Sequence, residues 1–379
     1  MKKKILIFAG YYLPSLKGGG PIQSIKNLVN ELKSDFDFYI LAFDRDLGDE
    51  KPFENIVNNS WVETGGAKVT YIDPSELSYT YLKRIIKETR FHSFYINSFF
   101  SFKLTVLPLI LFKLNRIKAK IIIAPRGQLS TGALGIKKQK KIFFLLITKI
   151  IGLYNNLVWH VTADEEAEEV KRHFKTKKIV VINNLTANYK NLKFKKDIIK
   201  NSGSLKVIFI SRISPKKNLN FVIEVLAKIK GNIELNIFGP IEDKIYWNKC
   251  EKQIDDLKSN ISVNYKGLVD HSKVLGKFEE NHIFFFPTLG ENFGHVISEA
   301  LVGGCPLILS DQTPWRNLSD KNIGWDIPLS EKNKFIDAVQ VFTDMNQKEY
   351  DDKSKRSNFF GLKSSASKDT LIKYKNIFN

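Results

Sequence analysis

Short apolar runs alternate with amphipathic segments along almost the whole chain. The strand-like runs of the first half are Ile5–Ala9, Phe38–Phe43, Lys68–Ile72, Ser93–Ile96, Lys120–Ala124, Leu157–Thr162 and Lys178–Ile182. Between the first two of them, residues 21–33 place their apolar side chains on one helical face, and Pro21 suits a first helical turn. Such alternation predicts an α/β fold with a parallel, doubly wound sheet.

A second alternating series follows a polar segment that is rich in Lys and Asn. Its strand-like runs are Val207–Ser211, Glu234–Phe238, Ser262–Tyr265, Ile283–Phe286 and Pro306–Leu309. Helical patterns lie between them, for example over 219–229 and 243–257. A chain of 379 residues suits two domains. We therefore expect a first domain over 1–190, a linker over 191–204 and a second domain over 205–361.

Composition indicates an ordinary soluble protein in a reducing compartment. The apolar fraction is 43%, and the two cysteines, Cys250 and Cys305, lack metal-ligand spacing. The apolar run near the N-terminus spans only residues 5–9, which is too short for the core of a signal peptide. No apolar run approaches the roughly 18 residues that a membrane-spanning helix needs. These features favour a cytoplasmic protein.

The positive charge is concentrated in the first half. The net charge is +19, and residues 1–195 hold 32 Lys or Arg against 17 Asp or Glu. Residues 89–163 contain twelve basic and no acidic side chains. A field of one sign favours anionic partners, such as phosphate groups, acidic lipid or nucleic acid. A merely solubilising surface is the alternative.

The strongest indication of a functional site lies in the second half, at the end of the run Ile283–Phe286. A turn-rich loop containing Glu291 follows this strand, and a helical pattern that contains Glu299 begins near Gly294. A carboxylate there can accept hydrogen bonds from sugar hydroxyls, while free amides at the helix start can donate. The candidate amide donors are those of Asn292, Phe293 and Gly294.

This stretch resembles the E-x7-E segment of the family 4 glycosyltransferases, which are retaining enzymes of the GT-B fold. Glu291 and Glu299 occupy the two glutamate positions, and ENFG, SEAL-x-x-G-x-P and TPW match flanking words of the family. The resemblance implies two Rossmann-like domains that face each other across a cleft. It also implies that the donor binds mainly to the second domain and the acceptor mainly to the first, and that a C-terminal helix over 362–379 crosses back to the first domain.

Residues 211–218 resemble the family's G-R-x-x-x-x-K word, with Ser211 in place of the usual glycine. The resemblance places Arg212 and Lys217 at the phosphates of the donor, where two cations stabilise a leaving nucleotide diphosphate without a metal. It gives Glu291 the sugar hydroxyls and Glu299 the ribose. The family's usual mechanism is a front-face path in which the departing phosphate helps to deprotonate the acceptor.

Two glycine-containing turns complete the predicted donor site. Gly19 and Gly20 belong to a glycine triplet that opens the first helix, where the backbone can approach a phosphate closely. The triplet resembles the loop that family members place across the cleft from the diphosphate. Gly239, in a Phe-Gly-Pro turn, resembles the strand end near the nucleotide base, although a plain turn is an equal alternative.

For each of two further residues, the sequence leaves two possible roles open. Arg126 stands in a Pro-Arg-Gly word where many family members carry a histidine, and the word matches a bacterial polysaccharide-synthesis subgroup. It either binds a phosphate of donor or acceptor, or is a structural arginine that pairs with backbone carbonyls. His295 either caps the helix start or acts as an acid or base. The acidic start of the helix after Thr162 is interpreted as structural capping.

Together these features predict a hexosyltransferase that uses a UDP sugar, needs no metal or other cofactor, and acts on a lipid-diphosphate-linked glycan in surface polysaccharide synthesis. We expect it at the inner face of the cell membrane. Two basic and apolar segments, 102–120 and 137–147, either lie on anionic lipid or are buried helices. The alternatives are a GT-B sugar-nucleotide epimerase and a nucleic-acid-binding protein. No nucleic acid partner is expected, because recognisable nucleic-acid-binding motifs are missing.

Overall fold

The computed structural model describes residues 2–135, 138–189, 192, 194, 196–364 and 367–379. The chain divides into two compact units. Unit 1 comprises Met1–Leu185 with Ser367–Asn379, and unit 2 comprises Thr186–Ala366. Each unit contains a largely parallel sheet with helices, as the alternating pattern predicts.

Unit 1 is built on an eight-stranded sheet. Its strands are β1 (Lys3–Phe8), β2 (Phe36–Phe43), β3 (Trp61–Thr64), β4 (Ala67–Ile72), β5 (Ser93–Ile96), β6 (Lys120–Ile123), β7 (Val158–Val161) and β8 (Ile179–Val181). Its helices before residue 186 are α1 (Gly20–Leu32), α2 (Tyr79–Glu88), α3 (Leu107–Leu114), α4 (Thr131–Gly135), α5 (Lys138–Ile150) and α6 (Asp164–His173). The strand order is β3-β4-β2-β1-β5-β6-β7-β8, and only β3 pairs antiparallel.

Unit 2 is built on a six-stranded parallel sheet. Its strands are β9 (Ser204–Ile210), β10 (Asn232–Phe238), β11 (Ile261–Tyr265), β12 (Ile283–Phe286), β13 (Leu307–Ser310) and β14 (Gly324–Ile327). Its helices are α7 (Leu219–Leu226), α8 (Lys244–Asp255), α9 (His271–Glu279), α10 (His295–Val302), α11 (Lys332–Asp344) and α12 (Gln347–Ser364). The last helix, α13 (Lys368–Phe378), belongs to unit 1. The strand order is β11-β10-β9-β12-β13-β14.

The first strand shows why helices cover both faces of its sheet. Leu6 and Phe8 join one apolar cluster, whereas Ile5 and Ile7 join another, because successive side chains of a strand point to opposite faces. Both faces must be covered, which is typical of parallel sheets. The last helix, α13, belongs to the second of these clusters. The ring of its Phe378 lies 5.6 Å from that of Phe36, at the start of β2.

Each predicted strand overlaps an observed one, but the prediction omitted β3 and β14. β3 is a four-residue edge strand that forms a hairpin with β4 through two glycines, both at positive φ. β14 begins at Gly324, whose added Cβ would lie 1.9 Å from the carbonyl oxygen of Leu307 on β13. Both strands are short, and neither contains the run of apolar residues from which the other strands were predicted.

Most of the segment 102–120 packs into the core, and only Phe102 and Leu114 among its large apolar residues are exposed. It forms a π-helical turn, Phe102–Val106, that continues into α3. Most of its apolar side chains are buried, namely Leu104, Val106, Leu109, Leu111 and Phe112. This segment was expected either to lie on anionic lipid or to be a buried helix, and the structure supports the buried helix. In the other segment, over 137–147, several apolar side chains of α5 are exposed, for example that of Phe143. Its Lys137 lies outside the described residues.

The segment that was expected to link the two domains, 191–204, lies within unit 2, which begins at Thr186. Lys190, Asn191, Lys193 and Lys195 lie outside the described residues. At the other end, the expected crossing segment 362–379 is divided, since α12 runs to Ser364 and the final part of unit 1 begins at Ser367.

Two lysines of the expected linker, one partly and one fully buried, donate to carbonyls at helix ends. The Nζ of Lys196 donates to the carbonyl oxygen of Gly304 at 3.0 Å, just after α10. The Nζ of Lys200 donates to that of Met345 at 2.9 Å, just after α11. Cations are favoured at helix C-termini, where carbonyls lack partners. This polar, Lys-rich run was expected to link the two domains, and its long-range partners are not visible in the sequence.

Candidate functional site

The two main sequence motifs of unit 2 follow neighbouring strands of its sheet. The segment 211–217 follows β9, and the loop 287–294 follows β12. These strands pair in parallel, so that both segments emerge at the same edge of the sheet. The strand order also reverses here, because β10 and β11 lie on one side of β9 and β12 to β14 on the other. Ligands of open α/β sheets bind at this kind of switch point.

An ion pair joins the two motifs. The Nζ of Lys217 lies 2.5 Å from Oε2 of Glu291, and the two side chains are only 11% and 20% exposed. The ammonium also lies 5.3 Å from the centre of the Phe286 ring, at the end of β12. A positive and a negative group are thus held together on an apolar base, with part of each still open to a ligand.

The pair keeps the Glu291 carboxyl ionised. Burial acts to raise its pKa, but several opposing contributions, led by the charge and hydrogen bond of Lys217, together lower it. Lys216 and the backbone amide of Asn292 contribute in the same direction. The pKa of Glu291 therefore lies below its ordinary value, and near neutral pH the group can only accept hydrogen bonds.

Backbone groups fix the two motifs relative to each other. The amide of Leu289 donates to the carbonyl oxygen of Lys216 at 2.8 Å. The side-chain amide of Asn218 donates to the carbonyl of Pro287 at 2.9 Å, and Asn218 itself adopts a left-handed conformation with φ of 62°. Asparagine tolerates that conformation better than most residues. The Lys217–Glu291 pair is therefore held by a rigid frame that does not depend on side chains alone.

A glycine is required where the loop enters α10. Gly294 has φ of +76°, and an added Cβ would lie 2.7 Å from Cδ1 of Ile297 and 3.1 Å from Cγ of Glu291. The position therefore needs glycine for conformation and for space. Before it, the carbonyl oxygen of Phe293 accepts a hydrogen bond of 2.6 Å from Nε1 of Trp315. His295 is buried and its ring packs against that of Phe293.

Glu299 lies inside α10 and has a partner that the sequence analysis missed. Its Oε1 lies 2.8 Å from Nε2 of His271, the first residue of α9. Tyr189 is also nearby, and burial followed by the charge of Glu299 raises the pKa of its hydroxyl. The sequence offered one indication that His271 lies near the site, namely its position six residues after β11, a strand of the same sheet.

Arg212 and Gly239 lie at neighbouring strand ends. The Nη1 of Arg212 lies 2.6 Å from Oε1 of Glu242, and both side chains are more than one-third exposed. Gly239 follows β10 with φ of +133°, and an added Cβ would lie 1.9 Å from the carbonyl oxygen of Ser211. The turn is thus pressed against the segment after β9. Arg212 is paired separately from Lys217 and Glu291, although it lies on the same segment.

The glycine loop of unit 1 is held by one aspartate. The carboxylate of Asp46 accepts hydrogen bonds from the hydroxyl of Ser15 and from the amides of Leu16 and Lys17. Gly19 follows with φ of +66°, and an added Cβ there would meet nothing within 4 Å. α1 then begins at Gly20. Positive φ and open space beside Gly19 suit a backbone that a ligand approaches closely.

Arg126, at the end of β6, is fixed by side-chain oxygens. Its guanidinium donates to Oδ1 of Asn97 at 2.6 Å, to Oδ1 of Asn184 at 2.5 Å and to the hydroxyl of Tyr95 at 2.8 Å. The expected structural alternative, pairing with backbone carbonyls, is not the arrangement found. In the described part of the chain, Arg126 forms no ion pair. Its charge is oriented by neutral groups and remains available to an anion.

A buried histidine extends this group. Nδ1 of His160, in β7, lies 2.7 Å from the hydroxyl of Tyr95, and Nε2 lies 2.9 Å from the carbonyl oxygen of Ile182. Burial, together with the charge of Arg126, lowers the pKa of His160 to about 3. Because a carbonyl can only accept, Nε2 carries the proton of the neutral ring. Hydrogen bonds therefore run from Arg126 through Tyr95 to His160.

Glu166 has a structural role, as interpreted from the acidic helix start. Its Oε2 accepts from the backbone amide of Thr162 at 2.8 Å and from the hydroxyl of the same residue at 2.9 Å, just before the helix begins. Its Oε1 accepts from the amide of Gly127 at 2.6 Å, next to Arg126. The start of α6 is thereby tied to the turn that carries Arg126. Across the described residues there is no cluster of three or more His, Cys, Asp or Glu side chains that could hold a metal ion.

Comparison with known proteins identifies the domain that carries the ion pair. Residues 190–357 match the family described as "Glycosyl transferases group 1". A Klebsiella pneumoniae protein described as an uncharacterized 41.2 kDa protein in the cps region is 24% identical over 70% of this chain and 71% of its own length. The poly(glycerol-phosphate) alpha-glucosyltransferase of Bacillus subtilis is 31% identical over 29% of this chain but only 16% of its own length.

Comparison with solved structures confirms the fold class. The crystal structure of Anabaena Alr3699/HepE in complex with UDP and glucose matches with a TM-score of 0.69 and 13% identity. The match covers 99% of this chain and 98% of that chain. The fold is therefore GT-B, with two parallel-sheet α/β domains. Residues 190–357 match the glycosyl transferases group 1 family, and this match together with these relatives indicates a glycosyltransferase.

Proposed function

We propose that this chain is a retaining, metal-independent hexosyltransferase. It moves a hexosyl residue from a UDP sugar to a lipid-diphosphate-linked glycan during the synthesis of a surface polysaccharide. The observation that carries the proposal is the Lys217–Glu291 pair at the switch point of the unit 2 sheet. A cation for phosphate and an ionised carboxylate for hydroxyls stand side by side there, as a nucleotide sugar requires.

Each donor group has a residue in unit 2 with the matching chemistry. Lys217 and Arg212 stabilise the negative charge of the leaving diphosphate, and Arg212 exchanges Glu242 for phosphate. Glu291 accepts hydrogen bonds from sugar hydroxyls. The amides of Asn292, Phe293 and Gly294 add donors at the start of α10, and Glu299 accepts from the ribose. The turn at Gly239 lies against the base.

In unit 1, the backbone amides of Gly19 and Gly20 are assigned to binding a phosphate. Gly19 suits this task because its φ is positive and the space around its Cα is open. His295 is buried against Phe293, and we assign it a packing role at the helix start. An acid or base role for His295 is the alternative, and a His295→Gln variant with unchanged pH dependence of turnover would support packing.

Retention of configuration is supported by resemblance and by a named relative. The relative from B. subtilis is an alpha-glucosyltransferase, and the E-x7-E segment resembles that of retaining enzymes. A front-face path needs no protein nucleophile, because the departing phosphate helps to deprotonate the acceptor. In that scheme the side chains bind and orient, and Lys217 stabilises the charge that develops as the glycosidic bond breaks.

The choice of donor and acceptor rests on similar proteins and on charge. HepE was crystallised with UDP and glucose, which supports a UDP hexose. The Klebsiella relative belongs to a cps region, which supports surface polysaccharide synthesis. The twelve basic and no acidic side chains of 89–163 favour an acceptor that carries phosphate and lies beside anionic lipid. Arg126 is the side chain that we assign to an acceptor phosphate.

A donor-panel thermal-shift experiment tests the donor assignment. A nucleotide sugar that binds the folded protein raises its melting temperature, and a UDP hexose should give the largest rise. Lys217→Ala should abolish the shift, whereas Lys252→Ala, an exposed lysine on α8, should preserve it. A panel without any shift would contradict the donor site.

Product analysis separates the remaining functions. NMR of the donor without acceptor should show at most slow hydrolysis, whereas an epimerase would convert the sugar. With acceptor, an α-linked product from an α-linked donor would establish retention. Salt-sensitive binding to nucleic acid, without any response to nucleotide sugars, would favour a nucleic-acid-binding protein.

A further inference from the structure

α5 presents an apolar stripe to the outside of unit 1. Six large aliphatic or aromatic residues on and just after the helix are between 41% and 76% exposed. They are Ile142, Phe143, Leu146, Ile147, Ile150 and Ile151. Their spacing repeats every four residues in adjacent pairs, which places them along one face of a helix.

The inner face of α5 fixes the orientation of this stripe. Leu145 is buried in the apolar core of unit 1, and Thr148 is buried one turn later. The ring of Phe144 lies 5.3 Å from that of Phe100 and 6.2 Å from that of Phe99. These contacts leave the six outward residues no route into the same core. A contiguous apolar surface of this kind usually marks an interaction site.

The apolar surface continues beyond α5 to the end of α3. The Nζ of Lys113 donates to the carbonyl oxygen of Ile151, which joins the two helix ends. The next residue, Leu114, is 69% exposed. The surface is therefore broader than one helix and includes a lysine at its margin.

Every charged side chain on these elements is basic. α5 contributes Lys138, Lys140, Lys141 and Lys149, and α3 contributes Lys113. The sequence between Glu88 and Asp164 contains no acidic residue. A protein partner of either charge could cover an apolar stripe, but this combination of apolar and purely basic groups matches an anionic bilayer. Apolar residues enter the acyl boundary while lysines reach the headgroups.

We propose that α5 is an interfacial membrane helix, whose stripe of Ile142, Phe143, Leu146, Ile147, Ile150 and Ile151 inserts into anionic lipid. The helix lies along the surface and does not cross the bilayer. None of the described helices is long and apolar enough to do so. Binding then has two parts, an electrostatic part that salt weakens and an apolar part that persists. Vesicle binding needs no sugar transfer, so its failure and that of the proposed transferase activity are distinguishable.

Co-sedimentation with vesicles of phosphatidylglycerol and phosphatidylcholine tests the stripe. The triple variant Phe143→Ser, Leu146→Ser, Ile150→Ser should bind at least about tenfold more weakly, because three inserted apolar side chains are lost. A matched control replaces three exposed apolar residues elsewhere, Ile245→Ser, Phe359→Ser and Ile372→Ser, and should bind as the wild type does. Equal binding of the stripe variant and the wild type would overturn the proposal.

The lysines are tested separately. Lys138→Glu with Lys140→Glu should remove the preference for anionic over neutral vesicles. Wild-type binding should fall as salt rises to about 0.5 M but retain a fraction that the stripe variant lacks. Loss of all wild-type binding in high salt would mean that lysines alone hold the protein, and the stripe would then have no role.

A fluorescent probe reports insertion without removing the stripe. Both natural cysteines are buried, so that Phe143→Cys supplies the accessible thiol for an environment-sensitive dye. Emission should shift to the blue with anionic vesicles, whereas the dye on Ile245→Cys should not respond. Concentration-dependent dimerisation with an unresponsive probe would instead assign the stripe to a second copy of the chain and overturn the proposal.

Discussion

The side chains of Lys217 and Glu291 meet at 2.5 Å, although 74 positions separate them in the sequence. Each follows a different strand of one parallel sheet, and hydrogen bonds from Leu289 and Asn218 hold their loops together. Neither residue alone would identify a site, because lysine and glutamate are common surface residues. The partial burial of both, at the switch point of the sheet, makes the pair a candidate for binding a charged substrate.

Lys217→Ala should lower turnover at least about tenfold, which corresponds to roughly 1.4 kcal/mol of activation free energy. The substitution removes the cation from the diphosphate and leaves Glu291 without its partner. Steady-state kinetics with a UDP hexose measures the effect, and a melting curve verifies folding. The exposed Lys252→Ala serves as control. Near-normal turnover would remove Lys217 from the site.

The stability contributed by ionised Glu291 should disappear in acid. Its pKa in the folded protein lies below the ordinary value of 4.5, so the unfolded chain takes up the proton first. The contribution is complete above pH 4.5 and is lost as the pH falls through the folded-state pKa. Urea unfolding gives the free energy of unfolding of the wild type and of Glu291→Gln. The difference between the two should shrink as the pH is lowered through that window.

Glu251→Gln, an exposed carboxylate substitution on α8, provides the comparison for that experiment. The same measurement on this variant gives the effect of losing a surface carboxylate away from the Lys217–Glu291 pair. A difference for Glu291→Gln that stays constant from neutral pH to below the folded-state pKa would show that Lys217 does not depress the pKa of Glu291.

Glu299→Ala should also lower turnover at least about tenfold, because the ribose loses an acceptor. The contact with Nε2 of His271 allows a second measurement. If His271 only orients the carboxylate, His271→Gln should retain most of the turnover, since an amide can still donate. Unchanged kinetics in Glu299→Ala would exclude this glutamate from the donor site.

The alternating apolar runs predict the fold well because parallel strands are buried on both faces. Ile283–Phe286 is wholly buried, and its boundaries are the same in sequence and structure. β3 was not predicted for the opposite reason, since an antiparallel edge strand such as Trp61–Thr64 needs no continuous apolar run. The packing of the expected linker against unit 2 is not visible in the sequence, because the partners of Lys196 are known only once the carbonyls after α10 are located.

Motif resemblance locates Glu291 and Lys217, but their contact requires the sheet order. The group around Arg126 was missed for a related reason. Tyr95 and His160 lie inside strands, where a polar side chain is usually interpreted as an isolated core residue. Only the pairing of β5 with β6 and of β6 with β7 brings both to Arg126. A single sequence carries no information about such long-range neighbours.

Activity should persist in excess EDTA. In the proposed site, Lys217 and Arg212 supply the positive charge that a divalent ion supplies in other transferases. Initial rates with and without EDTA, at constant ionic strength, provide the test. Abolition of turnover by EDTA, with recovery on addition of Mg²⁺ or Mn²⁺, would contradict the proposed metal-free mechanism.

Arg126→Lys should weaken acceptor binding while leaving donor binding nearly intact. The guanidinium is held by Asn97, Asn184 and Tyr95, a forked arrangement that an ammonium cannot reproduce. We expect KM for a phosphate-bearing acceptor to rise about tenfold, or roughly 1.4 kcal/mol, with KM for the UDP sugar little changed. The exposed Arg90→Lys should leave both constants unchanged. A fall in kcat alone, with both KM values as in the wild type, would show that Arg126 positions neighbouring strands and does not bind the acceptor.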